Sequence, residues 1–600
     1  MITWQQLRDF KAQEYKDAAD GWGEVSSRAS AAKDRVDNEM LAKLRDTQSG
    51  DTARAALRDL DQLSRNFQYI HTECGLIRTA LNGFASELAG PQRKLKSALD
   101  EAQQLGFTVK PDGSVQYPAA VPFAPETGIA TPDAPIRFLP GNAESGANPN
   151  KGRAEDIAER IAAAVRDAAE VDGRYRSALT KLKAARGLKV DDAVWADAGQ
   201  DLKDVRKAAG GYLKEGDIPK GKSPADNKKW WESLTQEQRD EYTALYPASV
   251  GRLDGLPSTV RDEANRIVLA ETHGTTQLQL KKWLETEPER YQPYISPYTG
   301  YQVKGAVVET EEWKKWNEKK GELEGRLKGM ENVQSRFNTS EAGGRPPAYL
   351  LGFDNNNLGH AIISIGNPDT ADNVVTFVPG TGAKLSSVED NLSRAEALQA
   401  EAESIDSSHK TASILWQGYD APQDIVGDAM DPKFADRARE PLSNFLTGIE
   451  TAHDGKVNST VLGHSYGTLV AGETMRDHPA LPVDRAILVG SPGVGVDHAK
   501  DLNIPPERVW AATAKNDLIN LAPPQEGELS ILNPMAYKRF FDDHSILYGC
   551  DPTTDDFGGK TFKVADGKAP GSDGPMPAHS QYWEGESLTH MANIVTGGES

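Results

Sequence analysis

The sequence predicts an all-helical first half and an α/β second half, in which a mostly parallel sheet carries helices on both faces. Apolar residues recur every three or four positions from Leu57 to Leu88, which is typical of the seam of a long antiparallel helical hairpin or coiled coil. After residue 346 the pattern changes to short β-branched runs that alternate with helical stretches. That alternation indicates strands joined by right-handed helical crossovers, and therefore a mostly parallel sheet.

The same patterns divide the chain into four predicted regions. Residues 1–110 are predicted as a helical hairpin whose second helix breaks or kinks at Gly90-Pro91, since proline removes a backbone donor. Residues 111–152 are rich in proline and glycine and have no apolar period, as expected of a linker. A helical region over 153–340 and an α/β domain over 341–600 complete the predicted organisation.

Short apolar runs bounded by turn residues mark the strands of the α/β domain. The predicted strands lie at 348–353, 361–365, 374–378, 413–416, 457–462, 486–489, 509–513 and 561–564. Helices are predicted at 387–403, at 434–452, directly after residue 465 and at 586–595.

Composition limits the classes of partner and the location of the protein. The chain holds 68 Lys and Arg residues against 89 Asp and Glu residues, a net charge of −21, which argues against nucleic acid and anionic membranes as main partners. Two cysteines, Cys74 and Cys550, are too few for a disulfide framework. Because the sequence shows no apolar membrane span and no secretory signal pattern, we expect a soluble protein, either cytoplasmic or exported without a classical signal peptide.

The stretch Gly463-His464-Ser465-Tyr466-Gly467 joins a β-branched run to a helix-compatible run. A G-x-S-x-G sequence in a strand–turn–helix setting predicts a nucleophile elbow with Ser465 at its apex. Side chains at Gly463 and Gly467 would collide in so sharp a turn, which explains the two glycines. The Tyr466 N–H would then lie at a helix N-terminus, where it can stabilise an oxyanion.

A serine nucleophile needs a base that takes its proton and an acid that orients the base. After a nucleophile elbow, the acid and then the base follow the serine along the chain. Asp517 comes shortly after the strand predicted at 509–513, at a carboxyl end where open α/β sheets build their sites. Asp517 is therefore the candidate acid, and Asp542 and Asp543 are the alternatives, although no strand precedes them.

The candidate base is His579, which lies between the last predicted strand and the last predicted helix. His544 is the second choice, since its segment places two aromatic residues and two aspartates beside it. Two other histidines rank lower: His590 falls inside the last predicted helix, and His498 precedes Asp517 in chain order.

A second oxyanion donor is predicted in the loop after the strand at 374–378. That loop reads Pro379-Gly380-Thr381-Gly382, and its glycines permit close approach of the backbone. Gly380 and Thr381 are therefore the candidate donors, together with Tyr466. The glycine-rich segment 490–495 lacks the spacing of a dinucleotide site and is predicted to shape the floor of the pocket.

The sequence predicts no metal and no other cofactor. It contains no CxxC or HExxH pattern. The acidic residues Asp551, Asp555 and Asp556 lack the spacing of a calcium-binding loop and are interpreted as a solvated turn.

Several motifs of the second half occur together in a known family. They are the G-H-S-Y-G elbow, the P-G-T-G loop, the late His579-Ser580-Gln581-Tyr582 and, upstream, Trp230-Trp231 and the stretch 261–266 that reads R-D-E-A-N-R. The second half thus resembles an actinobacterial family of α/β-hydrolases of uncharacterised function. The resemblance implies an α/β-hydrolase fold and a serine hydrolase in which Ser465, Asp517, His579 and the 380–382 loop form the site. It implies no particular substrate.

The first half carries a second resemblance. Its hairpin resembles the WXG-type hairpins of type VII secretion substrates, although the turn carries Ser49-Gly50 in place of Trp-x-Gly. Tyr69 and Glu73 match the Y-x-x-x-[DE] export pattern of those substrates but lie inside the second predicted helix, so an incidental pair one turn apart is the preferred interpretation. The resemblance implies a secretion machinery, or self-association through the N-terminal helices, as partners.

These patterns together predict a serine hydrolase that cleaves an ester or amide bond of a small molecule or lipid through an acyl-enzyme. Carboxylesterase or lipase activity ranks above peptidase or acyltransferase activity, because no charged specificity pocket can be identified from the sequence. The alternative is a secreted effector or scaffold whose helical half mediates protein interactions. The presence of all three triad residues favours the enzyme.

Overall fold

The computed structural model describes residues 2–118, 149–183, 187–337, 345–424, 428–517, 519, 545–569, 571 and 577–599. Its α-helices are α1 (Trp4–Arg8), α2 (Ala12–Arg35), α3 (Ala42–Thr47), α4 (Asp51–Gln104), α5 (Pro149–Leu179), α6 (Asp192–Ala209), α7 (Pro224–Ser233), α8 (Gln236–Leu245), α9 (Pro247–Val250), α10 (Ser258–Leu284), α11 (Glu311–Phe337), α12 (Val388–Ile405), α13 (Lys433–Ala452), α14 (Tyr466–Asp477) and α15 (Gly585–Val595). A π-helix, Val36–Leu41, joins α2 to α3. Short 3₁₀ helices lie at Glu215–Asp217, Leu385–Ser387, Asp428–Met430, Ala499–Leu502, Pro506–Arg508 and Pro577–Trp583.

The strands fall into one large sheet and three small hairpins. In chain order they are β1 (Thr108–Val109), β2 (Val115–Gln116), β3 (Tyr291–Ile295), β4 (Gln302–Glu309), β5 (Ala348–Asp354), β6 (His360–Ile365), β7 (Asn373–Val378), β8 (Thr411–Gln417), β9 (Asn458–His464), β10 (Arg485–Val489), β11 (Val509–Ala512), β12 (Ser545–Ile546), β13 (Gly549–Cys550) and β14 (Lys560–Thr561). The hairpins are β1–β2, β3–β4 and β12–β13.

The chain forms two compact units that alternate along the sequence. The first comprises Met1–Val25, Glu73–Ala184 and Asp201–Lys214, and the second comprises Ser26–Thr72, Ala185–Gln200 and Glu215–Ser600. The division into four domains at 1–110, 111–152, 153–340 and 341–600 stays a prediction. Within the predicted linker, residues 119–148 lie outside the described residues.

The first unit is helical and is held by an aromatic cluster. The rings of Phe10, Tyr15, Phe84 and Tyr175 stand 5.1–5.8 Å apart between centroids, a spacing at which edge-to-face pairs add to simple burial. The hydroxyl of the buried Tyr175 donates to Glu87 at 2.7 Å. Its one polar atom is thus satisfied inside an apolar core.

Of the break or kink predicted at Gly90-Pro91, the break is wrong, because α4 continues to Gln104 with Pro91 inside the helix. The kink stays a prediction. Proline costs a helix one N–H donor and some local strain. Here Leu88 and Leu95, on the turns before and after it, are fully buried. Their packing stabilises both turns, and tertiary burial commonly outweighs a local helix preference in this way.

The second unit is built on an eight-stranded sheet in the order β14-β11-β10-β9-β7-β8-β6-β5. All neighbours from β14 to β8 are parallel, whereas β6 runs antiparallel to both β5 and β8. Every residue of β7 and β8 is buried, as expected for central strands covered on both faces. The carboxyl ends of β7, β9, β10 and β11 therefore lie along one edge of the sheet.

Helices cover both faces of this sheet and create two apolar cores. One core joins Leu442 and Phe445 of α13 to Leu469 and Val470 of α14. The other joins Leu398 of α12 to Met591 of α15 and to residues of α10 and α11. The mostly parallel sheet with helices on both faces, together with the helical first half, confirms the predicted fold class, an α/β-hydrolase fold in the C-terminal half.

The open edge of β5 is covered by polar side chains of α10. Asp262 accepts a hydrogen bond from the Leu350 N–H at 2.6 Å, and Asn265 donates to the Leu350 carbonyl at 2.9 Å. Arg266 donates to the Ala348 carbonyl at 3.0 Å. An uncovered edge strand invites pairing with other chains. The upstream R-D-E-A-N-R stretch, in α10, thus has a structural role, because its side chains cover this edge of the sheet.

The region predicted as helical over 153–340 also contains a β-hairpin, β3–β4, which the sequence analysis missed. All five residues of β3 are exposed, so no alternation of buried and exposed positions distinguishes it in the sequence. Among the helices of the described residues, none is both long and apolar enough to cross a membrane.

Candidate active site

Ser465 occupies a strained turn between β9 and α14. The strand ends at His464, the helix begins at Tyr466, and Ser465 has φ +56° and ψ −130°. Such a backbone conformation costs a residue with a side chain about 1–3 kcal/mol and persists only where the surroundings impose it. The Ser465 N–H donates to the Val489 carbonyl of β10 at 3.0 Å, which is one of the contacts that hold the turn.

The two glycines of the turn are required by close backbone contacts. A methyl group at Gly463 would lie 2.6 Å from the Thr468 Cα, and one at Gly467 would overlap with the Val378 carbonyl at the end of β7. Neither neighbour can move, because each belongs to the backbone of a helix or a central strand. The steric role predicted for Gly463 and Gly467 therefore has a specific cause at each position.

Asp517 and His579 form a hydrogen-bonded pair. The His579 Nδ1 lies 2.8 Å from the Asp517 Oδ2, although 62 positions separate the two residues. Asp517 follows β11, and His579 lies in the 3₁₀ helix Pro577–Trp583. Burial raises the pKa of the Asp517 carboxyl, but the hydrogen bond and charge of His579 and the bonds from Tyr582 and Ile519 outweigh it, so the pKa is lowered. The aspartate is therefore held ionised.

Tyr582 fixes this carboxylate from the other side. Its hydroxyl donates to the Asp517 Oδ2 at 2.6 Å and accepts from the Ala514 N–H at 3.0 Å. The Ile519 N–H donates to the second carboxylate oxygen at 3.0 Å. Gly490 has φ +56°, and a methyl group there would lie 3.1 Å from Asp517 and 3.2 Å from His579. Glycine at position 490, the first residue of the 490–495 segment, thus leaves room for the hydrogen-bonded pair of Asp517 and His579.

His464, inside the elbow, supports the backbone of His579. Its Nε2 lies 2.7 Å from the His579 carbonyl, and a carbonyl only accepts, so Nε2 carries the proton. Burial lowers the pKa of His464 well below its usual range, and the nearby His579 and Arg394 lower it further. His464 is therefore a neutral positioning residue whose ring lies 4.9 Å from the His579 ring.

The P-G-T-G loop lies directly against Ser465. A methyl group at Gly380 would lie 2.6 Å from the Ser465 Cβ and 2.9 Å from the Tyr466 backbone nitrogen. The buried Tyr419 hydroxyl donates to the Pro379 carbonyl at 2.7 Å and fixes the start of the loop. Among the described residues, no acceptor is hydrogen-bonded to the N–H groups of Thr381 and Tyr466, so both remain available to a ligand.

Ser465 and His579 line one cavity of about 220 Å³. Its wall is completed by the 379–383 loop, by one face of α12 and by His464 and Ser580. No hydrogen bond joins the Ser465 hydroxyl to the His579 ring among the described residues, although such bonds are often long before a substrate is bound and tighten in the complex. The cavity therefore brings together the serine, the imidazole and the candidate donor loop.

The structure describes some, but not all, of the alternative candidates for the acid and the base. Asp542, Asp543 and His544 lie outside the described residues. His498 pairs with the Asp556 carbonyl at 3.0 Å, and His590 lies 3.6 Å from Glu586 on α15. Neither His498 nor His590 lines the cavity.

Comparison with known proteins supports the same fold assignment. Residues 354–526 match the model of a family described as alpha/beta hydrolase. The match includes β6 to β11 and Ser465, and it supports a hydrolase of the α/β fold in the C-terminal half.

The chain is also similar to mycobacterial proteins. It is 29% identical over 392 residues to the uncharacterized protein Rv2079 of Mycobacterium tuberculosis, a match that covers 63% of this chain and 56% of the relative. It is 31% identical over 175 residues to Rv0963c of M. tuberculosis and to Mb0988c of Mycobacterium bovis, both uncharacterized, covering 28% of this chain and 65% of each relative. The chain thus spans about half the length of the first of these relatives. The similarity supports an actinobacterial α/β-hydrolase family of unknown function.

Proposed function

We propose that the protein is a serine hydrolase that cleaves an ester or amide bond of a small molecule or lipid through an acyl-enzyme on Ser465. The observation that carries the proposal is the shared cavity of Ser465 and His579, with His579 hydrogen-bonded to Asp517 at 2.8 Å. A nucleophile, a base and an acid that orients the base are the parts that this chemistry requires.

In the first half of the reaction, the His579 Nε2 takes the Ser465 proton as the hydroxyl attacks the substrate carbonyl. Because the Nδ1 faces Asp517, the carboxylate keeps the proton on Nδ1 and leaves Nε2 as the basic atom. The lowered pKa of Asp517 means that the carboxylate stays negative and stabilises the imidazolium that forms.

The tetrahedral intermediate then places a negative oxygen between two backbone segments. The N–H of Tyr466 at the start of α14 and the N–H groups of the Gly380-Thr381 loop are the proposed donors. The loop packs so closely on the elbow that a methyl group at Gly380 would lie within 2.9 Å of the Ser465 Cβ and the Tyr466 nitrogen. The imidazolium next protonates the leaving group. Water, activated by His579 in the same way, releases the acyl group and restores Ser465.

A carboxylester is the preferred substrate class, and peptide cleavage or acyl transfer is the lower-ranked outcome. The alternative, an effector or scaffold without catalytic activity, can be distinguished experimentally. In such a protein Ser465 would not be activated as a nucleophile. The secretion machinery and self-association through the N-terminal helices stay predictions.

Labelling with a fluorophosphonate probe tests the proposal. The wild-type protein should be labelled, and Ser465→Ala should not be, whereas Ser580→Ala, which changes another serine of the same cavity, should keep its label. His579→Ala should lose labelling and ester turnover by several orders of magnitude, and His544→Ala should change them modestly. Unlabelled wild type, or a labelled and folded Ser465→Ala variant, would contradict the assignment.

A further inference from the structure

One face of α12 lines the cavity beside Ser465 and is polar. Ser387, at the start of the helix, and Asp390, Asn391 and Arg394 all contribute to the cavity wall. Positions i, i+3, i+4 and i+7 share one face of an α-helix. The adjoining side of α12 carries Val388, Leu392 and Ala395, which are buried in the core, so the orientation of the polar face is set by burial.

Arg394 is the positively charged residue of that polar face. Few of its N–H donors are hydrogen-bonded within the described part of the protein. Its Nη1 donates to the Asn391 side chain at 3.1 Å, and its guanidinium lies 5.8 Å from the ring centre of Trp583. Among the described residues, no carboxylate forms an ion pair with it. A guanidinium has five N–H donors, and the bond to Asn391 is the one hydrogen bond that Arg394 makes to a side chain or carbonyl of the described residues.

The arrangement favours binding of an anion over a purely structural role. Burial lowers the pKa of Arg394, but an arginine stays charged at any pH at which proteins function. A half-buried charge without a carboxylate partner is unfavourable in the free protein. An oxyanion that entered the cavity would satisfy the unused donors in the fork geometry that guanidinium offers.

Asp390 is the one acidic side chain of the cavity wall among the described residues. It is exposed and lies one helical turn before Arg394. Water therefore screens its charge more strongly than that of the half-buried guanidinium. Asp390 weakens the attraction for an anion without cancelling it, so its removal should strengthen anion binding.

We propose that Arg394 is a specificity-determining residue that binds an oxyanion of the substrate, a carboxylate or a phosphate group carried near the scissile bond. This inference rests on the proposed function, because it concerns the substrate of the same Ser465 site. It narrows the substrate class from esters in general to esters that bear a negative group.

The test compares three 4-nitrophenyl esters of matched length. They are the neutral pentanoate, the glutarate monoester with its terminal carboxylate, and an analogue with a terminal phosphate. The measured quantity is the ratio of kcat/KM for each anionic ester to that for the neutral ester. Arg394→Met should lower this ratio by about 10- to 100-fold, the range expected for loss of a charge-assisted hydrogen bond. Arg394→Lys should retain part of it, and Asp390→Asn should raise it.

Arg437→Met is the matched control, since Arg437 is exposed on α13 and does not line the cavity. The ratio should be unchanged in this variant. The two anionic esters distinguish between the two possible substrate groups. The ester that is preferred identifies whether the natural group is a carboxylate or a phosphate. An equal ratio in wild type, Arg394→Met and Arg437→Met, with turnover that depends on Ser465, would overturn the inference and leave the proposed function intact.

A binding measurement keeps the inference testable if no ester is cleaved. Monomethyl glutarate and inorganic phosphate are titrated calorimetrically into the Ser465→Ala protein with and without Arg394→Met. Binding that requires Arg394 supports the inference even where the proposed chemistry fails. Absence of binding by both anions, or equal binding with and without Arg394, would overturn it.

Discussion

His464 lies inside the elbow, and its side chain holds the backbone of His579, the proposed base. Its Nε2 holds the His579 carbonyl at 2.7 Å, and its ring is almost wholly buried. Protonation would add a charge beside His579 and Arg394 in a place from which water is excluded. His464 is therefore a neutral residue that positions the candidate base, His579.

This environment predicts a pH dependence of stability. The unfolded chain protonates His464 near pH 6.5, whereas in the folded protein the pKa of His464 is lowered. The free energy of unfolding should therefore be independent of this group above about pH 7 and should fall as the pH drops below about 6.5, by at most ~1.4 kcal/mol per pH unit. Urea unfolding of wild type and His464→Gln from pH 8 to pH 5 measures the effect.

The glutamine variant keeps an N–H donor for the His579 carbonyl but does not titrate. Its unfolding free energy should fall less steeply below pH 6.5 than that of wild type. An identical slope in the two proteins would show that His464 titrates normally.

At the scale of elements, the elbow depends on how closely β7, β9 and α14 approach one another. Gly467→Ala would push a methyl group into the Val378 carbonyl of β7. We expect a loss of stability of a few kcal/mol or more, together with loss of probe labelling, because backbone rather than a flexible side chain must move. Thermal unfolding and labelling of the purified variant measure both effects.

Gly321→Ala is the control for this substitution. Gly321 lies inside α11 with ordinary helical geometry, and a methyl group there would contact nothing within 4 Å. Alanine at that position should be neutral or should stabilise the protein by up to ~1 kcal/mol. Comparable losses in the two variants would show that the elbow tolerates a side chain at Gly467.

The covered edge of the sheet gives a second prediction at this scale. Asn265 is fully buried, and its amide donates to the carbonyls of Leu350 and Gly251. Asn265→Ala removes the donor to the Leu350 carbonyl and leaves the Gly251 carbonyl with Arg261 as its other donor, at 3.3 Å. It should destabilise the protein by about 1–3 kcal/mol, mainly through the unpaired Leu350 carbonyl. Gln279→Ala, an exposed change on the same helix, should stay within about 0.5 kcal/mol. Equal urea midpoints for the two variants would contradict the structural role of the R-D-E-A-N-R stretch.

At the scale of the whole molecule, local patterns predicted the elements, the elbow and the candidate residues Ser465, Asp517 and His579, but not the side chains that hold these residues in place. The G-x-S-x-G turn and the strand before Asp517 are short-range features, and each leaves a readable signal. His464, Tyr582 and Tyr419 act through partners at least 40 positions away in the sequence. The H-S-x-Y motif contained Tyr582, but nothing local indicates that its hydroxyl reaches Asp517.

For the same reason, two features of the fold were not predicted. Pro91 stays inside α4, where Leu88 and Leu95 on the neighbouring turns are fully buried. The β3–β4 hairpin was missed because β3 is exposed on both faces. In both cases the outcome depends on tertiary surroundings that a residue pattern does not contain.

The most direct test of the acyl-enzyme mechanism is mass spectrometry of the protein quenched during turnover of a 4-nitrophenyl ester. We expect one acyl group on Ser465 in the wild-type protein. We also expect no adduct and a fall in turnover on the order of a million-fold in a folded Ser465→Ala variant. An acyl group on another residue, or near-wild-type turnover without Ser465, would contradict it.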